Sequence, residues 1–142
     1  MIKWEYIMIH HSLTKDGETV SWKAIEDFHR NHYGWSDIGY HFGIELVGDR
    51  HQIFIGRSLL KSGAHCKESK MNEKAIAICC VGNFDLMIPS DKMMEILIHK
   101  LIHPLMDLFA IDKDHIVFHR EYASYKSCPG LLFDKELLLN RI

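Results

Sequence analysis

Histidine and cysteine side chains follow apolar segments of the chain, where a rigid strand can present them. His10 and His11 come directly after the apolar run of residues 6–9, and His119 ends a second, shorter run. A loop then leads from His119 to Cys128. Two imidazoles and one thiolate make a three-ligand zinc site with an open fourth position, an arrangement typical of catalytic zinc. Zinc in such a site lowers the pKa of a water to about 7 and so supplies hydroxide at neutral pH.

The two neighbouring histidines are not equivalent candidates for that site. Neighbouring residues of a strand face opposite sides of the sheet. Only one of His10 and His11 can therefore share a side with the other two ligands. The strand pattern alone leaves open which of them does.

A competing pair of histidines lies on a predicted helix. His99 and His103 have i, i+4 spacing, which puts both on one helix face. However, Lys100 stands where a gluzincin-type zinc motif has glutamate, and Pro104 disturbs the turn. We therefore interpret this pair as ordinary helix residues. Four further histidines are interpreted as helix-face residues (His29 and His32) or as loop residues (His51 and His115).

Composition restricts the class of protein. The chain has 142 residues, of which 47% are hydrophobic and 25% charged, an ordinary balance for a globular protein. This length predicts one domain over residues 1–142. The formal net charge of −2 provides no basic field for nucleic acid or for an anionic membrane, so we expect neither as a partner.

The N-terminal segment does not read as a secretory signal, because Lys3 and Glu5 interrupt it and no apolar core follows. No apolar run approaches the roughly 18 residues of a membrane span. We therefore expect a protein that is soluble and cytoplasmic as synthesised. Without a secretory context the four cysteines are predicted to be reduced. Cys79 and Cys80 are interpreted as small buried residues on opposite faces of a strand.

The apolar pattern predicts alternating strands and helices. Predicted strands run over residues 4–10, 40–47, 52–55, 75–81 and 116–119, and predicted helices over 21–32, 91–109 and 131–139. Ser21 and Ser90 are predicted N-caps, and Pro104 should kink or split the second helix. Residues 15–18 and 58–72 are predicted loops. This alternation predicts an α/β domain with helices on both sides of one sheet, and the hairpin at Gly48 makes that sheet mixed.

Five sequence blocks carry a resemblance to a known family. They are His10-His11-Ser12, residues 34–42 (Gly-Trp-Ser-Asp-Ile-Gly-Tyr-His-Phe), Gly63-Ala64-His65, residues 81–85 (Val-Gly-Asn-Phe-Asp), and His119-Arg120-Glu121 leading to residues 126–130 (Lys-Ser-Cys-Pro-Gly). In this order they closely resemble the zinc N-acetylmuramoyl-L-alanine amidases, whose fold is shared with bacteriophage amidase-type lysozymes and peptidoglycan recognition proteins. The resemblance covers about residues 10–130 and implies that fold.

The resemblance implies a set of site residues. The zinc ligands map to His10, His119 and Cys128, and two catalytic side chains map to Tyr40 and Lys126. The loop from His119 to Cys128 is one residue longer than in the phage enzymes, so the match is firmest at the Lys-x-Cys-Pro block. Each role has a physical reason: a fixed positive charge at Lys126 stabilises a developing oxyanion, and a hydroxyl at Tyr40 orients a water or relays a proton to the leaving amine.

Three nearby residues have less defined roles. Glu45 lies five residues past Tyr40, and odd strand spacing places it on the opposite face, so we do not expect it to be the general base. The loop of residues 58–72 is expected to line a substrate cleft. Within it, His65 either hydrogen-bonds substrate or braces the loop. Arg57, just before it, is a candidate for pairing with a substrate carboxylate.

The resemblance implies hydrolysis of the amide between N-acetylmuramic acid and L-alanine, with peptidoglycan or a muropeptide as the partner. Two settings fit: an endolysin that degrades cell wall after release from the cytoplasm, and a cytosolic enzyme that recycles soluble muropeptides. A non-catalytic peptidoglycan-binding module is the alternative of another class. Non-catalytic relatives typically lack the cysteine ligand, whereas Cys128 is present here.

Overall fold

The computed structural model describes residues 1–14 and 21–142. The predicted loop at residues 15–18 lies outside them. A five-stranded mixed sheet forms the centre, in the order β3-β2-β4-β1-β5. Its strands are β1 (Tyr6–His11), β2 (Phe42–Val47), β3 (Arg50–Ile55), β4 (Ala75–Cys80) and β5 (Ile116–Phe118). All neighbours pair in parallel except β2 and β3, which form the predicted antiparallel hairpin.

Helices cover both faces of the sheet, as the α/β pattern predicts. They are α1 (Ser21–His32), α2 (Met71–Lys74), α3 (Asp91–Ile96), α4 (His103–Phe109) and α5 (Lys135–Arg141), with a π-helical segment at Leu97–Ile102. The Ser90 hydroxyl caps α3 as predicted, accepting a hydrogen bond from the Met93 amide at 3.1 Å. Within the described residues, no helix combines the length and apolarity needed to cross a membrane.

The predicted helix of residues 91–109 is interrupted just before its proline. Pro104 has no amide hydrogen, and its ring crowds the carbonyl of the residue four positions earlier, which is Lys100. The backbone forms the π-helical segment Leu97–Ile102 at this point, and α4 begins at His103, so the predicted helix is split. His99 lies on the π-helical segment and His103 is the first residue of α4, with their rings 5.2 Å apart. Neither belongs to a group of metal-type ligands among the described residues.

Strand β4 is the central strand of the sheet, and its side chains pack on both faces of the sheet. Its six residues are all buried. Cys80 packs into the larger core beneath α3 and α4, and Cys79 packs with Trp22 of α1 on the other face. The prediction of two small buried cysteines on opposite faces is confirmed, and all four cysteines are free.

The buried Glu45 carboxylate caps the N-terminus of helix α1. The helix begins at Ser21 itself, and the backbone amides of Ser21 and Trp22 donate to the Glu45 carboxylate at 2.7 and 3.2 Å. The expectation that Glu45 faces away from Tyr40 is wrong, because both lie against Trp22. Strand β2 starts only at Phe42, so the strand alternation does not extend back to Tyr40. Since Glu45 is fully buried and engaged by these amides, it is not a candidate base.

Replacing Glu45 by glutamine should destabilise the fold. The neutral amide cannot match a carboxylate as acceptor for helix N-terminal amides, and hydrogen bonds to charged groups contribute about 1.5–3 kcal/mol each. We expect a loss of this order in the free energy of unfolding, measured by urea denaturation at neutral pH. Glu26→Gln, in a surface ion pair with Arg30, is the matched control and should cost at most about 1 kcal/mol. Equal effects of the two substitutions would refute the capping role.

Candidate active site

The ends of two neighbouring parallel strands bring the candidate metal ligands together. His10 lies near the end of β1, and His119 directly follows β5, which pairs with β1 in parallel. Parallel neighbours present their carboxyl ends at the same edge of a sheet. The loop after His119 returns Cys128 to this edge, where its Sγ lies 3.6 Å from Nδ1 of His10. The structure thus brings together the three residues that the resemblance implies as zinc ligands.

This donor set has the spacing that zinc requires. The ligand atoms of His10, His119 and Cys128 lie within 4.8 Å of one another, and all three side chains are buried. With Zn–S and Zn–N bonds of about 2.3 and 2.05 Å, tetrahedral geometry places sulfur and nitrogen ligands about 3.6 Å apart. The observed separation of 3.6 Å between Cys128 Sγ and His10 Nδ1 matches that value. The residues present therefore fit a zinc ion.

A chain of hydrogen bonds prepares His10 as a ligand. His65 Nε2 lies 3.1 Å from the Ala75 carbonyl oxygen, which can only accept, so Nε2 carries the hydrogen. His65 Nδ1 is then the acceptor for His10 Nε2–H at 2.9 Å. This leaves Nδ1 of neutral His10 without a hydrogen, with its lone pair beside Cys128. Outer hydrogen bonds of this kind fix the tautomer and orientation of metal-binding histidines.

His11, the other histidine of the pair, faces away from this cluster. Its Nδ1 accepts a hydrogen bond from the Phe84 amide at 3.2 Å, and its ring stacks near the Phe84 ring. Its backbone amide donates to Cys128 Sγ at 3.3 Å. The choice that the strand pattern leaves open is therefore settled in favour of His10 as the residue facing His119. His11 supports the thiol through its main chain.

Two charged side chains hold the segment that carries Cys128. The Arg120 guanidinium donates to the carbonyls of Ser127, Gly130 and Phe133, at 3.3, 2.6 and 3.1 Å. Asp85 accepts from the Ser127 hydroxyl and from the Leu131 amide, at 3.0 and 2.8 Å. These contacts fix both ends of the turn around Cys128, so the thiol is held in place by the fold.

Burial sets the protonation of the three ligand side chains. It lowers the pKa of His10 well below the usual value and that of His119 to about 4, so both imidazoles are neutral at neutral pH. Burial also raises the pKa of the Cys128 thiol to about 12. A metal that binds there must displace the thiol proton, and its affinity therefore falls as the pH is lowered.

A cavity of about 600 Å³ opens over these ligands. Both residues that the resemblance implies as catalytic, Tyr40 and Lys126, line it, and so does His65 from the loop of residues 58–72. The Tyr40 ring lies 5.2 Å from the ring of His10. Burial raises the Tyr40 pKa well above its usual range. Tyr40 is therefore a protonated hydroxyl at neutral pH.

Arg57 is not among the residues that line this cavity. Its guanidinium donates to the backbone carbonyls of Ile38 and Ser62, at 3.1 and 3.0 Å. With its donors committed to these carbonyls, Arg57 braces the start of the loop. The structure does not place it where it would pair with a substrate carboxylate.

Two further residues lie near the site although no sequence pattern predicted their position there. His29, interpreted as a plain helix-face residue, lines the cavity, and its Nδ1 accepts from the Gly39 amide at 2.9 Å. Glu68 accepts a hydrogen bond from the exposed Tyr125 hydroxyl at 2.6 Å, which joins two loops next to Lys126. The two contacts join residues 10 and 57 positions apart, so neither helix nor strand periodicity indicates them.

A family profile and individual relatives indicate the same family for this chain. The sequence profile described as N-acetylmuramoyl-L-alanine amidase matches residues 2–131. Peptidoglycan-recognition protein LB of Drosophila melanogaster is 30% identical over 132 residues, 88% of this chain and 54% of that protein. The endolysin of Enterobacteria phage T3 is 37% identical over 81 residues, 57% of this chain and 50% of that protein. The chain thus spans about half the length of these curated relatives.

A solved structure supports the same grouping. The endolysin N-acetylmuramoyl-L-alanine amidase LysCS from Clostridium intestinale superposes with a TM-score of 0.80 at 27% identity. The match covers 99% of this chain and 84% of that chain. The likeness therefore extends over the whole sheet and over the segments that carry the candidate site.

Proposed function

Because the chain belongs to the N-acetylmuramoyl-L-alanine amidase family, we propose that it is a zinc-dependent hydrolase of the amide between N-acetylmuramic acid and L-alanine in peptidoglycan. The single observation that carries this proposal is the buried cluster of His10, His119 and Cys128 at the floor of a cavity lined by Tyr40 and Lys126. A module that only binds peptidoglycan has no need of this complete set.

The three ligand residues would hold the metal, and the remaining residues act on the substrate. A zinc ion held by them would act as a Lewis acid, polarising the scissile carbonyl and lowering the pKa of a water so that hydroxide is available as the nucleophile at neutral pH. Lys126 lines the cavity as an exposed cation that stabilises negative charge developing on the scissile carbonyl oxygen. Tyr40, protonated at neutral pH, is suited to donate a hydrogen bond or a proton to the leaving amine.

His65 acts through His10 and is a positioning residue. His65→Phe keeps a ring in place but removes the acceptor for His10 Nε2–H. We expect zinc affinity to fall by about 10–100-fold, as for other outer hydrogen-bond partners of metal-binding histidines. Competition with a chromophoric chelator measures this affinity. His32→Phe, at an exposed site on α1, is the control and should bind zinc like the wild type. Unchanged affinity in His65→Phe would contradict the positioning role.

We propose that the substrate is the cell-wall polymer, as for an endolysin. The support for this is the similarity to the phage T3 and Clostridium intestinale endolysins. A muropeptide-recycling enzyme and a binding-only module are the alternatives.

Parallel digestions distinguish these three functions. The zinc-loaded protein is incubated with purified peptidoglycan and, separately, with soluble monomeric muropeptides, and new L-alanine amino termini are counted. The proposal expects release from the polymer. Release from muropeptides alone would indicate a recycling enzyme. Binding to the polymer without release from either substrate would indicate a recognition module and would refute the proposed hydrolysis.

A further inference from the structure

A second group of metal-type ligands lies beside the first. Cys66, Glu68 and His119 each offer a ligand atom, and these atoms lie within 4.8 Å of one another. The group combines a thiol, a carboxylate and an imidazole, the three side-chain types that bind zinc in proteins. Neither Cys66 nor Glu68 has a part in the proposed hydrolysis.

We propose that Cys66, Glu68 and His119 form a second site for a divalent cation of the zinc and cadmium class. Cys66 Sγ lies 3.5 Å from Glu68 Oε2. For bonds of about 2.3 Å to sulfur and 2.1 Å to oxygen, tetrahedral ligands lie about 3.6 Å apart, so this pair is already at coordination spacing. The site is distinct from the first in two of its three ligands.

Hydrogen bonds from neighbouring residues hold the two new ligands in this arrangement. Tyr125 donates to Oε1 of Glu68 at 2.6 Å, which leaves Oε2 turned toward Cys66. The Asn72 side-chain oxygen accepts from the backbone amides of His65 and Cys66, at 2.6 and 2.8 Å. A site whose ligands are oriented before the metal arrives loses less conformational freedom on binding.

The residues around the second site let a cation enter, but they lower its affinity below that of the first site. A cavity of about 260 Å³ is lined by Cys66, Glu68 and His119 and provides the route of entry. Lys126 lines the same cavity, and its charge opposes a second cation. Burial raises the Cys66 pKa to about 11, so binding must also displace a proton. The second site therefore fills only when metal exceeds one equivalent.

The shared ligand gives this site a regulatory consequence, which rests on the proposed hydrolysis. His119 belongs to both groups. To bind both cations, one through each ring nitrogen, neutral His119 must lose its N–H proton to solvent, because the neutral ring has only one free lone pair. The ring then shares its electron density between the two cations, and the second cation also brings positive charge next to Lys126. Excess zinc should therefore inhibit the hydrolysis.

Cadmium titration of the metal-free protein tests the site without any assay of activity. Equilibrium dialysis counts bound cadmium, and the ultraviolet absorbance of the thiolate–cadmium bond reports cysteine ligation. The wild type should bind two ions per chain, the second more weakly, each with a thiolate signal. Cys66→Ser should bind only the tight ion, and Cys128→Ser should keep only the Cys66 signal. Glu68→Gln should weaken the second ion, whereas the control Glu73→Gln, an exposed carboxylate, should not.

A wild type that binds one cadmium ion, or a Cys66→Ser variant with an unchanged second thiolate signal, would overturn this site. The kinetic consequence is measured as the ratio of hydrolysis rates at one equivalent and at excess zinc. This ratio should fall in the wild type and stay near one in Cys66→Ser. Absence of hydrolysis in the wild type at one equivalent would refute the proposed function, while the cadmium result would still decide the second site.

Discussion

Cys128→Ala should lose bound zinc and hydrolytic activity together. The cysteine supplies the sulfur of the ligand set, and the remaining pair, His10 and His119, leaves two positions to solvent. Two-ligand sites hold zinc too weakly to survive purification, and the weaker site at Cys66 fills only with excess metal. Elemental analysis should therefore find the dialysed variant free of zinc. The rate of release of L-alanine amino termini should fall to background, because the Lewis acid is lost with the metal.

A matched substitution separates this effect from general damage to the core. Cys80 is also buried, but it packs into the core beneath α3 and α4 and belongs to neither group of metal-type ligands among the described residues. Cys80→Ala should therefore keep both zinc and activity, with a moderate loss of stability. A zinc-free Cys128→Ala protein that still hydrolyses the amide would eliminate the proposed mechanism.

Lys126→Ala should retain zinc but react about 10²–10³ times more slowly, the usual cost of removing one group that stabilises an oxyanion. Lys126 lies at the cavity wall and contributes no ligand atom, so the metal content should match the wild type. The loss should fall on kcat, because the charge on the carbonyl oxygen develops only in the transition state.

A second lysine provides the control for this experiment. Lys67 is exposed and lines the neighbouring smaller cavity, and it is not among the residues that line the cavity over the ligands. Lys67→Ala should therefore hydrolyse the substrate at close to the wild-type rate. If Lys126→Ala keeps the full rate with zinc bound, Lys126 is a bystander and the oxyanion must be stabilised by another group.

The sequence predicted the elements whose hydrophobic pattern is strong. The apolar run that becomes β4, the helix α1 and the hairpin of β2 and β3 are all present, within one to two residues at most boundaries. The interruption before Pro104 was also predictable, because proline has a local steric effect. Only the form of the interruption, a π-helical segment, depends on how the two halves of the helix pack.

The site was predictable in its residue types more than in its contacts. Strand alternation shows that His10 and His11 face opposite sides, but the position of His119 is needed to decide between them. The resemblance resolved this choice at the sequence level, and the structure brings the same three ligands together.

Several contacts at the site were beyond any local pattern. Glu45 caps α1 from a strand more than 20 positions away in sequence, and His65 orients His10 across 55 positions. These are tertiary contacts, which composition and periodicity do not encode. Arg57 shows the same dependence on tertiary contacts: its position before a cleft loop indicates a role with substrate, whereas its guanidinium donates to the backbone carbonyls of Ile38 and Ser62.

The most direct test of the central claim is mass spectrometry of purified peptidoglycan after incubation with the zinc-loaded protein, with and without a chelator. Hydrolysis of the proposed bond predicts free stem peptides that begin at L-alanine and glycan strands with unsubstituted muramic acid. The chelator should abolish these products, and added zinc should restore them. Fragments cut within the glycan or within the peptide, or the same release in the presence of the chelator, would contradict a zinc-dependent amidase.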